Sequence, residues 1–196
     1  VELYRAVGAE AGNLFISPFS VASAFGLLYP GARGQTAAEI AATFHFDSSP
    51  AAQATQTHTL AQTLTAHAGG SEFTTANAAW VERTMALRAE YARAIRDELG
   101  ATVEAVDFMA NQGAALQRIN AWAAHETRDR IPEILTNRDA SRRLVLTNAV
   151  YFKGQWSDPF SAAATRDGDF HTASGVTERA RLMRQITHAR YFEGAS

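Results

Sequence analysis

The pattern of hydrophobic and polar residues near the start of the chain predicts a helix that is apolar on nearly every side. Ser17 precedes Pro18, and this pair is typical of a helix start. The serine side chain can accept a hydrogen bond from a free backbone N–H, while proline has no N–H to leave unpaired. Residues 21–28 then carry mostly apolar side chains until Pro30 and Gly31 end the pattern. A helix that is hydrophobic all round is a buried one, so we expect it to lie inside the protein.

Two more helices follow in the first third of the chain. Thr36 and Glu39 have the spacing of a capping box, which predicts the start of a short helix with apolar residues on one face. Ser49 and Pro50 repeat the first start signal, and the helix they open is expected to continue to about Ala68, where two glycines follow. The first third of the chain is therefore predicted to be helical.

The periodicity changes after residue 70, where apolar and polar side chains begin to alternate as in a strand. The run 144–152 is apolar without clean alternation, which is typical of a strand covered on both faces. The predicted elements in this part are strand 71–83, helix 88–99, strand 101–106, helix 111–130, strand 144–152 and short strands around 169–171, 179–183 and 190–193.

This order of elements, helices first and then strands mixed with helices, predicts an α+β fold. There is no regular alternation of strand and helix and no internal repeat. A strand covered on both faces needs neighbours on each side, and the sequence does not clearly supply them for the run at Leu144. We therefore expect the chain to form an incomplete domain.

Composition narrows the function classes. Hydrophobic residues make up 46% of the 196 positions, which is enough for a packed core and argues against disorder. The 18 basic and 20 acidic residues give no positive field, so neither nucleic acid nor a membrane is an expected partner. The absence of cysteine excludes disulfides, thiolate metal ligands and a cysteine nucleophile. The only lysine is Lys153, among abundant arginine and alanine, a bacterial-like composition.

No motif in the sequence indicates catalysis. The six histidines show no metal-ligand spacing, and there is no nucleophile elbow or evident carboxylate pair for acid–base chemistry. The glycine-rich segment 31–36 lacks the Gly-Lys-Ser/Thr end of a phosphate loop and does not follow a predicted strand. We therefore expect no enzyme activity, no cofactor and no metal ion.

Four segments in order resemble the serpin family of serine protease inhibitors. Residues 13–20 with 31–40 resemble its opening helices, and residues 146–156 look like its central strand and the segment after it. Residues 77–80 and 119–122 match the family between these two regions. The resemblance implies a serpin-like fold in which residues 1–196 are the N-terminal portion of a single domain. The C-terminal part, with the reactive-centre loop, is expected to be absent from this chain.

The resemblance also implies a function and partners for the full-length protein. A member of this family inhibits a serine-type endopeptidase as a suicide substrate, because its cleaved reactive loop inserts into the central sheet as a new strand. The expected partners are a target serine or cysteine protease and the C-terminal remainder of the same protein. Heparin is not expected to activate it, because the helix from Pro50 to Ala68 carries no lysine or arginine, only His58 and His67.

The family positions two groups of residues at the opening through which the strand enters. Ser17, Ser20 and Asn148 match the shutter, the polar set beneath the central strands. Lys153 and Trp156 match the breach, where the loop first enters. The local sequence leaves other interpretations open: the two serines could simply cap a helix, and Trp156 could be an ordinary core aromatic residue.

Three further functions stay open at this point. A non-inhibitory serpin would keep the fold as a binding or structural protein, and the chain by itself could be an inactive fragment. A complete α+β enzyme is the least favoured, because it would need a catalytic constellation. The target protease depends on loop residues that are not in this chain, and both secretion and a cytoplasmic location are compatible with the family.

Overall fold

The computed structural model describes residues 2–8, 12–47, 49–66 and 70–187. The chain divides into two compact units, residues 1–153 and residues 154–196, which are taken separately below. The predicted helix end at Ala68, His67 and the predicted strand 190–193 lie outside the described residues.

The first unit contains six α-helices and a three-stranded sheet among its described residues. Helix α2 continues as a 3-10 turn over Tyr29–Gly31, and α5 continues as a π-helical turn over Ala94–Glu98. The helices are α1 (Glu2–Val7), α2 (Pro18–Leu28), α3 (Gly34–Phe44), α4 (Pro50–Ala66), α5 (Ala89–Arg93) and α6 (Gln112–Glu126), and the strands are β1 (Glu72–Glu82), β2 (Thr102–Val106) and β3 (Leu144–Lys153).

Two predicted helix boundaries are wrong. Helix α3 begins at Gly34, before the predicted capping box, and the Glu39 carboxylate accepts a hydrogen bond from the Gln35 side chain at 2.7 Å. Helix α6 ends at Glu126, not at residue 130, because the next turn is left-handed: φ is 51° at Arg128 and 61° at Asp129. A right-handed helix cannot continue through such residues.

The sheet has the order β2-β1-β3. Strand β1 lies in the centre, parallel to β2 and antiparallel to β3. Because successive side chains of a strand point to opposite faces, β1 contributes to a core on each side. The core beneath α6 includes Trp80, Phe108, Ile119 and Trp122, and the core on the side of α2 and α4 includes Leu27, Ala54, Ala79, Ile95 and Leu99.

Strand β3 is less completely covered than its sequence predicts. Thr147, Ala149 and Tyr151 are buried on the α6 side, whereas the alternate residues are only half-buried. Phe152, near the end of the strand, is 66% exposed. Helix α2 is likewise not buried all round, since Phe25 is 38% exposed and stacks on Phe44 at a ring distance of 4.4 Å.

The second unit contains a two-stranded antiparallel sheet, β4 (Arg166–His171) with β5 (Thr177–Leu182). Gly175, with φ of 80°, provides the left-handed residue of the connecting turn, a conformation that glycine adopts without steric cost. An ion pair between Arg179 and Asp169, 2.7 Å from nitrogen to oxygen, links the two strands. The short strands predicted at 169–171 and 179–183 are thus confirmed, with longer bounds for the first and an earlier start for the second.

A buried carboxylate fixes the end of β1. Glu82 is fully buried, and its oxygens accept hydrogen bonds from the backbone N–H groups of Phe108 at 2.8 Å, Met109 at 3.2 Å and Thr84 at 3.2 Å, and from the Thr84 hydroxyl at 3.1 Å. Burial by itself would raise the pKa of Glu82, but the bonds from Thr84, Phe108 and Met109 stabilise the charged form and lower it. The carboxylate therefore ties the turn after β2 to β1.

This geometry predicts a stability that falls in acid. Because the folded-state pKa of Glu82 is lowered, its contribution is present above its ordinary value of 4.5 and is lost as the pH falls through the folded-state pKa. We expect Glu82→Gln to lower the thermal midpoint at pH 7 and to flatten its decline below pH 5. The control is Glu133→Gln, at an exposed position, and an equal effect of both substitutions would contradict the assignment.

Candidate functional site

The N-terminus of α2 brings Ser17 and Ser20 together. Ser17 is the N-cap residue, and its Oγ accepts hydrogen bonds from the Ser20 backbone N–H at 3.2 Å and from the Ser20 hydroxyl at 2.9 Å. The helix start predicted from the sequence is confirmed, and so is the capping interpretation of Ser17. Both serines are half-buried, and α2 packs against β3.

Asn148 lies in the middle of β3, directly opposite Asn77 of β1. Its Nδ2 donates a hydrogen bond to Asn77 Oδ1 at 2.9 Å and a longer one to Thr75 Oγ1 at 3.5 Å. Its Oδ1 is buried and has no hydrogen-bond partner among the described residues. Because an unpaired buried acceptor is unfavourable, Asn148 carries a polar group that the described structure does not satisfy.

The structure adds Ser23, Asn77 and Thr75 to the polar residues on this side of the sheet. Ser23 is 2% exposed, and its Oγ has no hydrogen-bond partner in the described part of the chain. The spacing of Ser17, Ser20 and Ser23 places them on one face of a helix, and this signal could have identified Ser23. Asn77 and Thr75 could not be identified in the same way, because only the β1–β3 register brings them to Asn148.

The outer edge of β3 is free of strand pairing within the described residues. One edge of β3 pairs with β1 along Leu144–Lys153, and no described strand pairs with the other. A free edge presents a row of unpaired N–H and C=O groups that can pair with an added strand. Among the described residues, no hydrogen bond joins the serine pair to Asn148, so the predicted shutter residues occupy two separate places, the start of α2 and the middle of β3.

The comparisons with known proteins bear on the whole chain. The family model described as Serpin (serine protease inhibitor) matches residues 1–196. The chain belongs to the serpin family. Its α+β fold is the serpin fold, as the solved structures below also show.

Relatives of this serpin extend from archaea to mammals. It is 36% identical to an uncharacterised serpin-like protein of Thermococcus kodakarensis, covering 98% of this chain and 45% of that protein. It is 35% identical to the human leukocyte elastase inhibitor, covering 89% of this chain and 46% of that protein. The chain therefore spans about half the length of the curated relatives it matches.

Two solved structures have the same fold as this serpin. Arabidopsis AtSerpin1 in its native stressed conformation superposes with a TM-score of 0.82 at 25% identity, covering 93% of this chain and 48% of that chain. Reaction loop cleaved lamprey angiotensinogen superposes with a TM-score of 0.83 at 28% identity, covering 93% of this chain and 54% of that chain.

The two predicted breach residues lie in different units of this serpin. Lys153 ends β3, and its Nζ is 3.9 Å from Glu72 Oε1, while Glu72 also pairs with Arg128. In the second unit, Trp156 is 67% exposed and its ring meets Phe160 edge-on at 5.5 Å. Both interpretations of Trp156, as a breach residue and as an ordinary core aromatic residue, stay predictions.

The described residues contain no cluster of three or more histidine, aspartate or glutamate side chains that could hold a metal ion. Nor does any described helix have the length and apolar content needed to cross a membrane. The polar groups along α2, β1 and β3, described above, form the candidate functional site of this serpin.

The Asn148–Asn77 pair yields a stability prediction. Asn148→Asp keeps the shape of the side chain but replaces the donor facing Asn77 Oδ1 with a second acceptor, so we expect a loss of about 1–3 kcal/mol in the free energy of unfolding. It can be measured by urea denaturation of the protein expressed from its complete reading frame. Asn13→Asp, at an exposed position, is the matched control, and the assignment fails if the two variants unfold at the same urea concentration.

Proposed function

We propose that this serpin inhibits a serine endopeptidase as a suicide substrate, by inserting its cleaved reactive loop as a strand beside β3. The observation that carries the proposal is the outer edge of β3, which is unpaired among the described residues of a chain that spans about half the length of its relatives, so a strand from the rest of the protein can add there. An extended segment adding to such an edge gains a ladder of backbone hydrogen bonds. The family membership of the chain supports the same mechanism.

Strand insertion would change the hydrogen bonding of the polar residues in β3 and at the start of α2. Asn148 Oδ1 has no partner in the described structure, and a strand entering at this edge would bring new donors close to it. We assign Ser17, Ser20 and Asn148 to the shutter, where hydrogen bonds exchange as the sheet opens. The gain from pairing a buried acceptor would favour the inserted state, in keeping with the release of stored strain.

The contacts between β1 and β3 support opening at the outer edge of β3. The Trp80 indole N–H donates a buried hydrogen bond to Thr147 Oγ1 at 3.0 Å. The strands also share a ten-residue register from Glu72↔Lys153 to Val81↔Leu144. Separating them would break this ladder, whereas movement at the other edge breaks no pairing within the described residues.

The expected partners follow from the same proposal. The human relative is named a leukocyte elastase inhibitor, so a serine endopeptidase is the first target class to test. Lys153 and Trp156 are proposed to lie at the breach where the loop enters. Activation by heparin through α4 is not proposed, because Pro50–Ala66 contains no lysine or arginine to pair with sulfate groups.

The proposal predicts a covalent complex. The protein, expressed from its complete reading frame, is incubated with leukocyte elastase, subtilisin and papain, and the products are separated in SDS. With at least one protease we expect a band at the summed mass, because the loop is trapped as an acyl-enzyme. Elastase inactivated at its serine is the control and should give no such band.

Cleavage without a complex would overturn the inhibitory mechanism. The thermal midpoint of the cleaved protein then separates the remaining cases. A rise in the midpoint would show that the loop still inserts but releases the protease, whereas an unchanged midpoint would identify a non-inhibitory serpin that serves as a binding or structural protein.

A further inference from the structure

A cleft of about 510 Å³ lies among α3, the start of α4 and α5 in the first unit. Its volume falls within the range of small-molecule sites in proteins. Helix α3 contributes Ala37, α4 contributes Ala51, and α5 with the π-helical turn after it contributes Tyr91 and Glu98. No residue of β1 or β3 lines the cleft, so it is separate from the edge at which a strand is proposed to add.

The π-helical turn brings two carboxylates to this cleft. Glu90 lies in α5, Glu98 ends the π-helical turn Ala94–Glu98, and both line the cleft. In a regular α-helix, side chains eight positions apart point in directions that differ by about 80°. A π-helical turn has more residues per turn than an α-helix, so it rotates Glu98 back toward the side of Glu90. Such turns often occur at functional sites.

These two carboxylates have no cationic partner in the described part of the chain. Glu98 Oε2 is buried and accepts no hydrogen bond, and neither Glu90 nor Glu98 belongs to an ion pair between described residues. Arg33 also lines the cleft, but its Nη1 donates to the backbone oxygens of Pro30 and Ala32 at 2.7 Å each. A carboxylate with a buried, unpaired oxygen is unfavourable, and a cation in the cleft would stabilise it.

The rest of the lining favours an organic cation. Two tyrosines and several apolar residues form much of the wall: Tyr29, Tyr91, Pro30, Pro50 and Ala94. Aromatic rings attract ammonium and guanidinium groups, and an apolar wall contacts the hydrocarbon body of a ligand. The described residues offer no cluster of side chains that could hold a metal ion.

We propose that this cleft binds a small organic cation, whose amidinium, guanidinium or ammonium group pairs with Glu98 while its hydrocarbon body lies against the tyrosines. The observations that support it are the volume, the two unpaired carboxylates and the aromatic and apolar lining. The site does not depend on the inhibitory function, so the two proposals can fail separately. The alternative occupant is an arginine or lysine from the rest of the protein, which would exclude any added cation.

The test compares two probes of nearly the same shape that differ in charge. Binding of benzamidine, a cation, and of benzamide, its neutral counterpart, to the protein expressed from its complete reading frame is measured by ligand-observed NMR. Because an amidinium forms charge-assisted hydrogen bonds with a carboxylate, we expect benzamidine to bind about tenfold more tightly than benzamide. In Glu98→Gln this preference should disappear. The matched control is Asp97→Asn, which removes the same charge at an exposed position outside the cleft and should keep the preference.

A second variant locates the binding. Ala37→Phe would fill the cleft from α3 and should abolish binding of benzamidine, and if this variant does not fold, Ala51→Phe fills the cleft from α4 instead. The matched control is Ala38→Phe, on α3 at an exposed position outside the cleft, which should bind as the wild type does. The proposal is overturned if benzamidine does not bind the wild type, if Glu98→Gln keeps the preference or Asp97→Asn loses it equally, or if the filled cleft still binds.

Discussion

The pairing of β1 with β3 is the interaction on which the rest of the structure depends. Strand β1 has a strand neighbour on both edges and a hydrophobic core on both faces, and helices α2, α4 and α6 pack against it. Trp80 joins two of these contacts, since its N–H bonds to Thr147 across the strands and its ring meets Trp122 of α6 edge-on at 5.8 Å. The strand pair and α6 thus pack as one body.

The two faces of this sheet differ in how completely their polar groups are paired. On the α6 side, the buried Trp80 N–H and Thr147 hydroxyl satisfy each other, and the Thr127 hydroxyl bonds Ala123 O and Ile131 N at the helix end. On the α2 side, Ser23 Oγ and Asn148 Oδ1 are buried and unpaired. Each such group costs about 1–3 kcal/mol while it is unpaired, so a change of structure that pairs it on the α2 side would be favoured by about that amount.

The sequence predicts most of the elements but fewer of the polar contacts. The start of α2 is predictable because Ser17 and Pro18 cap the first turn of the helix that follows them directly in the sequence. Strand β1 is predictable because the alternation of apolar and polar residues is visible within the strand's own sequence. The end of α6 depends on the left-handed backbone of Arg128 and Asp129. Because neither residue is glycine, which is the usual signal of such a backbone, the sequence does not indicate this end. The Asn148–Asn77 contact depends on strand register, and the pairing of Glu82 with Phe108 joins residues 26 positions apart, so neither follows from local patterns.

The unpaired groups on the α2 side bear on the mechanism proposed for this serpin. A strand added at β3 would reach the level of Asn148, whose Oδ1 is buried and has no partner among the described residues. Pairing this acceptor would stabilise the inserted state, because an unpaired buried polar group is unfavourable. The same step would leave the ladder between β1 and β3 intact, since that ladder uses the opposite edge of β3.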